Sequence, residues 1–269
     1  MMQHLDGSGT AGLELEHEGG IARLWLARPE RRNALDEALM DALTTALQQL
    51  AADDSVRVLV LGGRGKAFCA GADLDWMRRA ATYDREQNIA DAGRFARLLQ
   101  ALDSSSKPTI ARVHGACFAG AIGLAAACDL AIAADDSRFC FTETKLGIVP
   151  AMISPYVLRA VGYRQAMRYM TTAEAFDAAT ALRIGLVHEC VAPQDLDAAI
   201  APLAAALEAC GPRALAETKR LLRGIADRPI DEALIRLTAE CIADARASDE
   251  ARTRLGAVLA AAEARREKP

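Results

Sequence analysis

The sequence offers no apolar run long enough to cross a bilayer. The longest, Gly115 to Cys128, is 14 residues and stops at Asp129, against the ~20 that a spanning helix needs. Nor does it carry a surplus of either charge: 32 Lys and Arg stand against 36 Asp and Glu, a formal net charge of -4. Without a basic footprint, no nucleic-acid partner is expected, and without a span no membrane partner. The cysteines, at 69, 117, 128, 140, 190, 210 and 241, lie mostly in apolar runs and never form a CxxC pair. They read as reduced core residues of a cytoplasmic protein, with neither a disulfide frame nor a metal site. The first twelve residues, MMQHLDGSGTAG, lack a basic segment followed by an apolar one, so 1–12 reads as a flexible leader and not as a secretory signal.

Several catalytic signatures are absent as well. "VLVLGGRGKA" imitates a phosphate loop, but Val60 stands where the early glycine is required and Ala67 where Ser or Thr should follow Lys66. "GGRGKAF" fails the dinucleotide pattern, His17 in "HEGGI" has no second histidine for a zinc protease, and no GxSxG elbow occurs. Nucleotide hydrolysis, hydride transfer, metalloproteolysis and serine hydrolysis lose their usual signals.

What is present is an alternation. "GGIARLWLAR" reads as a strand, and "NALDEALMDALTTALQQLAAD" as a helix with Asp36 placed to cap it. "VRVLVLGG" is a second strand, "DREQNIADAGRFARLLQALDSS" a second helix, and "KPTIARVHG" a third strand leading to another helix. This order predicts an α/β core with crossover connections over 13–205. Alanine-rich, charged helices then fill 206–269.

Two glycine-rich turns and one carboxylate carry the candidate chemistry. "GKAFCAGADLDWM", 65–77, follows a strand, as does "HGACFAGAIGLAAACDL", 114–130. In the second, Gly115, Gly120 and Gly123 sit at a helix start, where each costs up to about 1 kcal/mol against alanine. Small residues at strand ends let backbone N–H groups approach a ligand, and two that converge would form an oxyanion hole. Tight packing between layers would explain the same glycines. The third feature, "FCFTETKLGIVP", sets Glu143 among apolar residues, either as a functional acid or as a solvated partner of Lys145.

The segments "RPERRNALD", "GKAFCAGADL", "VHGACFAGAIGLAAACDLAIAADDSRFCFTETKLGIVP" and "FDAATALRIGLVHECV", in this order and spacing, resemble the enoyl-CoA hydratase/isomerase (crotonase) superfamily over about residues 15 to 195. The resemblance implies a crotonase-like ββα spiral core with a C-terminal helical trimerisation region. A homotrimer or a dimer of trimers would follow. It implies an acyl-CoA thioester substrate and no separate cofactor, since coenzyme A belongs to the substrate. By position, the N–H groups of Ala72 and Gly120 would form the oxyanion hole and Glu143 the acid/base. Ala70 would offer its carbonyl to the adenine, with Arg32, Ala34, Asp73 and Leu74 along the coenzyme's path. Trp76, Phe118, Gly123 and Met152 would wall the acyl pocket.

Departures from the family pattern are equally informative. Crotonase-type hydratases carry two glutamates, and the position of the first falls here on Gly123. "AGADLDWM", that glycine and "TETKLGIVPAMISPYV" are similar to the methylglutaconyl-CoA and isohexenylglutaconyl-CoA hydratases of leucine and terpene breakdown. The tail differs from the family pattern too, with Thr253-Arg254, Val258 and Ala261-Ala262 where a glutamate-glycine pair, a phenylalanine and a lysine-arginine pair are common. The expected activity is hydration of an α,β-unsaturated acyl-CoA, with Δ3-Δ2 enoyl-CoA isomerisation by the single glutamate as the alternative. A non-enzymatic acyl-CoA binder or an RNA-associated relative is a third reading, opposed by the mild negative charge and the retained Glu143.

Overall fold

The computed structural model describes the backbone of residues 2–3 and 12–266 and the side chains of 12–263. The expected leader lies mostly outside these residues; of it, Met2–Gln3 form a short strand, β1, paired antiparallel with β2. The chain divides into two compact units, one ending at Glu208 and one beginning at Ala209.

The first unit contains two sheets. The large one orders its strands β1-β2-β3-β4-β6-β8-β11, with β2 Leu13–Glu18, β3 Ile21–Leu26, β4 Val58–Gly63, β6 Thr109–Val113, β8 Leu130–Ala134 and β11 Glu189–Val191. From β3 onward it is parallel. The small sheet runs β10-β9-β7-β5, from Phe176–Asp177, Arg138–Cys140, Ala116–Phe118 and Ala67–Cys69. Three times a strand of the large sheet is followed within a few residues by one of the small sheet and then by helix: β4-β5, β6-β7 and β8-β9. This repetition is the ββα spiral.

Local chemistry explains these elements. Every residue of β4 is buried, as a parallel strand covered on both faces requires. Leu59 and Leu61 point to one core cluster, Val58 and Val60 to the other, the period of two expected of a strand. Asp36 caps α1 (Glu37–Ala52) by accepting from the Leu39 N–H at 2.9 Å. Following α2 (Leu74–Ala80), α3 (Arg85–Asp103) opens with a reciprocal capping box between Asp84 and Gln87. α4 (Gly120–Ala127) carries no charge because it is buried on nearly all sides. α5 (Ser154–Thr172) is interrupted at Gly162, where φ is 73°. α6 (Ala178–Arg183) leads into β11, and α7 (Leu196–Ala209) covers the outer face of the large sheet with Leu196, Ile200 and Ala204.

The second unit is helical: α8 (Pro212–Ile225), α9 (Glu232–Ala247) and α10 (Asp249–Arg266). The Glu250 carboxylate accepts from the N–H groups of Arg213 and Ala214, both at 3.0 Å, capping α8. The Arg254 guanidinium, in the atypical tail, donates to the carbonyls of Ala209 and Cys210 at 2.9 and 3.1 Å. Among the described residues, no helix is long and apolar enough to cross a membrane.

Candidate active site

The small sheet brings the three candidate segments together. β5, β7 and β9 are parallel neighbours, with Cys69 opposite Cys117 and Phe118 opposite Cys140. The stretches carrying Ala72, Gly120 and Glu143 therefore leave the same edge side by side. Sequence alone placed a helix start at 114–130; the structure inserts β7 first and begins the helix at Gly120.

The first two turns touch. At Gly71, φ is +96° and an added Cβ would lie 3.1 Å from the Phe118 carbonyl oxygen, so only glycine fits without displacing the neighbouring backbone. The Ala119 N–H donates to the Cys140 carbonyl at 2.9 Å, tying the second turn to the third strand. Ala119 itself has φ 50° and ψ -120°, a costly conformation for a residue with a Cβ, and one that clusters at functional sites.

Two backbone donors remain without a protein partner. The Leu35 N–H donates to the Gly71 carbonyl and the Asp73 N–H to the Leu35 carbonyl, each at 2.8 Å. These bonds bridge Leu35 to Ala72 through its neighbours, and the Ala72 N–H has no acceptor among the described residues. Gly120 opens α4, where the first N–H groups lack intrahelical acceptors, and its N–H is likewise unengaged among the described residues. An added Cβ at Gly120 would meet Phe95 Cζ at 3.0 Å.

Glu143 begins a 3-10 turn, Glu143–Leu146. Among the described residues, its Oε2 is buried without a hydrogen-bond partner and makes no ion pair with Lys145. Burial pushes its pKa above the ordinary 4.5, against the pull of backbone N–H groups at Glu143 and Thr142. A buried carboxylate oxygen without a partner is costly to the fold and is characteristic of catalytic acids and bases.

Of the residues expected along the coenzyme's path, Arg32 is exposed in the left-handed region and its carbonyl accepts from the Ala70 N–H at 3.0 Å. Ala34 is buried, while Leu74 is 68% exposed. The Ala70 carbonyl accepts no hydrogen bond among the described residues. The Asp73 side chain is committed elsewhere. It caps α2 through the N–H groups of Asp75 and Trp76 and pairs with Arg31 at 2.9 Å and Arg28 at 3.5 Å. Burial opposes its ionisation, but Arg31 and these N–H groups hold its pKa below the usual range.

Of the residues expected to wall the acyl pocket, the Trp76 indole donates to Asp91 on α3 at 3.2 Å, and burial raises the Asp91 pKa against that pull. Phe118 is half-buried in β7, and Met152 packs on the main core. Gly123 is buried on α4, and an added Cβ would fall 2.2 Å from Ile153 Cγ2.

Sequence reasoning missed Asn33, Phe95 and Ile153. Asn33 is 0% exposed, with φ 56°. Its amide nitrogen donates to the carbonyls of Arg64, Ala67 and Phe68 at 2.9, 2.8 and 3.2 Å, and its oxygen accepts from the Arg28 N–H at 2.8 Å. The asparagine between two arginines and an alanine was a usable signal, since Asn tolerates left-handed backbone.

A second polar region, a cleft of about 500 Å³, lies at the carboxyl ends of the large sheet's parallel strands and includes Trp25, Arg64, Arg112 and Asp197. These four side chains are engaged within the protein. Arg64 lies 4.1 Å from the Trp25 ring centre and pairs with Glu14 and Glu16, Trp25 donates to Glu16 at 2.9 Å, and Arg112 pairs with Asp197 at 2.7 Å.

Comparison with known proteins agrees with this geometry. The enoyl-CoA hydratase/isomerase family matches residues 16–263. The enoyl-CoA hydratase ACTT6 of Alternaria alternata is 35% identical over 213 residues, covering 79% of this chain and 70% of that one. The crystal structure of an enoyl-CoA hydratase from Shewanella pealeana superposes with a TM-score of 0.91 at 43% identity, covering 93% of this chain and 94% of that one. One from Mycobacterium smegmatis gives 0.87 at 34% identity, covering 93% and 96%. With its ββα spiral, its paired turns and this match, the chain belongs to the enoyl-CoA hydratase/isomerase family.

Proposed function

We propose that the chain adds water across the double bond of an α,β-unsaturated acyl-CoA, with Glu143 as the single acid/base and the N–H groups of Ala72 and Gly120 as the oxyanion hole. The observation that carries this reading is that two N–H groups unengaged among the described residues and the buried, partnerless Oε2 of Glu143 lie on segments that leave neighbouring strands at one sheet edge. The Glu143 carboxylate takes a proton from water as its oxygen bonds to C3 of the acyl chain. The double-bond electrons move toward the thioester carbonyl, whose oxygen is held by the two N–H groups. The carboxyl then returns the proton to C2, so water is added across the bond with Glu143 regenerated. One such donor lowers the barrier by about 3 kcal/mol in comparable sites.

For the acyl group we propose a branched or carboxylated, glutaconyl-type chain. Its support is the resemblance carried by "AGADLDWM", Gly123 and "AMISPYV". Ala70, Arg32, Ala34 and Leu74, with α2 anchored by Asp73, would form the path for coenzyme A. We propose a homotrimer or a dimer of trimers in the cytoplasm. Apolar side chains left exposed on α9 and α10, with Leu259 at 62%, support assembly, and the cysteines, none in a disulfide among the described residues, suit a reducing compartment.

The test is a substrate panel: branched glutaconyl-CoA, crotonyl-CoA and a 3-enoyl-CoA, with the conjugated thioester's absorbance and the products followed. Hydration of the branched thioester with the highest kcat/KM is expected. Isomerisation of the 3-enoyl-CoA without hydration of any thioester would overturn the reading.

A further inference from the structure

Ile153 stands where α5 begins, ten residues after Glu143 along the chain, and its side chain is 2% exposed. Its Cγ2 and Cβ lie 2.2 and 2.9 Å from the point where a Cβ at position 123 would fall, with Leu99 Cδ2 at 3.5 Å. Contacts that close are not met by real Cβ atoms, so any side chain at 123 requires Ile153 to move. It has little freedom to do so. Its carbonyl accepts from the N–H groups of Tyr156 and Val157 at 3.1 and 3.0 Å, and a β-branched side chain has few rotamers. Gly123 lies three residues beyond Gly120, one turn along the same face of α4.

We infer that Ile153 is the specificity-determining wall of the acyl site: it fills the volume a side chain at position 123 would use and sets how much bulk the acyl chain can carry at C3. This rests on the acyl-CoA reading above. The atoms nearest that point are the hydrocarbon of Ile153 and Leu99, so the wall selects by shape and not by hydrogen bonding. One missing or added methylene in such a pocket changes discrimination about 10- to 200-fold.

The test separates this inference from the hydratase reading by using unreactive thioesters and a folding measurement. Butyryl-CoA and 3-methylbutanoyl-CoA differ only by the methyl group at C3, and their Kd values are measured by calorimetry for the wild type and for Ile153→Ala. The expected result is that the ratio of the two Kd values moves at least tenfold in favour of the branched thioester. In parallel, Tm is measured for Gly123→Glu and for Gly123→Glu with Ile153→Ala. The single variant is expected to lose much of its thermal stability and the double variant to recover more than half of the loss, the coupling expected of residues in direct contact. A Kd ratio within twofold of the wild type, or a Gly123→Glu variant as stable as the wild type, would overturn the inference. Either readout decides even if no thioester is hydrated.

Discussion

The carboxyl edges of the two sheets are built from similar materials and end in opposite conditions. At the large sheet, Arg64, Arg112, Trp25, Glu16 and Asp197 close a cleft in which these groups already have partners. At the small sheet, the Ala72 and Gly120 N–H groups and the Oε2 of Glu143 have none among the described residues. The satisfied edge holds the fold together, whereas the unsatisfied edge holds free energy in reserve for a ligand. A cleft full of arginines is therefore the less telling of the two, because its ion pairs are internal.

The largest effect that could break this contrast comes from Glu143→Gln. It should lower kcat by roughly 10²- to 10⁴-fold, the range for loss of a general acid/base, with Tm unchanged or raised, since the burial penalty on an ionised carboxylate is gone. Steady-state kinetics and thermal unfolding of the same preparation check both halves; a variant with reduced Tm and full activity would reverse the assignment. Next comes Asn33→Ala, which strands the carbonyls of Arg64 and Ala67 in the interior. An unfolding free energy lower by about 1–3 kcal/mol is expected, together with loss of kcat/KM, because Asn33 ties the turn before β5 to the segment carrying Arg32.

A smaller effect is expected at the satisfied edge. Arg64→Met should cost about 1 kcal/mol or less, the usual worth of partly exposed ion pairs and of a guanidinium over an indole. Denaturant titration should show this loss while kcat stays within twofold of the wild type. The finest distinction is in pH dependence. Glu16 and Asp197 have pKa values below the ordinary range: at Glu16, Arg64 and Trp25 outweigh burial, and at Asp197 the Arg112 hydrogen bond does so. Their stabilisation is present above the unfolded pKa and is lost as pH falls through the lowered folded value. Glu143 has the opposite sign. Its raised pKa favours the fold at low pH, and that contribution is lost as pH rises through the raised value. Glu16→Gln should therefore flatten the acid loss of stability, and Glu143→Gln should leave it in place. The acid limb of kcat/KM should lie above pH 4.5, the ordinary value for glutamate.

The spiral's long elements were legible because their periods are. β4 and α1 announce themselves by a β-branched run and by Asp36 ahead of an amphipathic stripe. The small sheet was not, because β5, β7 and β9 have three residues each, too few for an alternation to register, and their hydrogen bonds come from strands distant in sequence. α5 was hidden by Pro155 at its start and by the break at Gly162. At the site, Gly123 could be read as a missing carboxylate, but the side chain that takes its place comes from thirty residues away, at Ile153. No local pattern encodes that contact. Asn33 and Phe95 escaped for the same reason, since their significance lies in the carbonyls and the glycine they meet.

The central claim is that Glu143 alone moves the protons of a hydration whose developing charge rests on two backbone N–H groups. The most direct measurement is incubation of the wild type and Glu143→Gln with the best enoyl-CoA substrate in water labelled with heavy oxygen, the product being read by mass spectrometry. The account predicts label at C3 of the 3-hydroxyacyl-CoA formed by the wild type, and a product yield lower by at least a hundredfold for the variant at equal time. Equal labelled product from both, or an isomerised thioester free of label from the wild type, would contradict it.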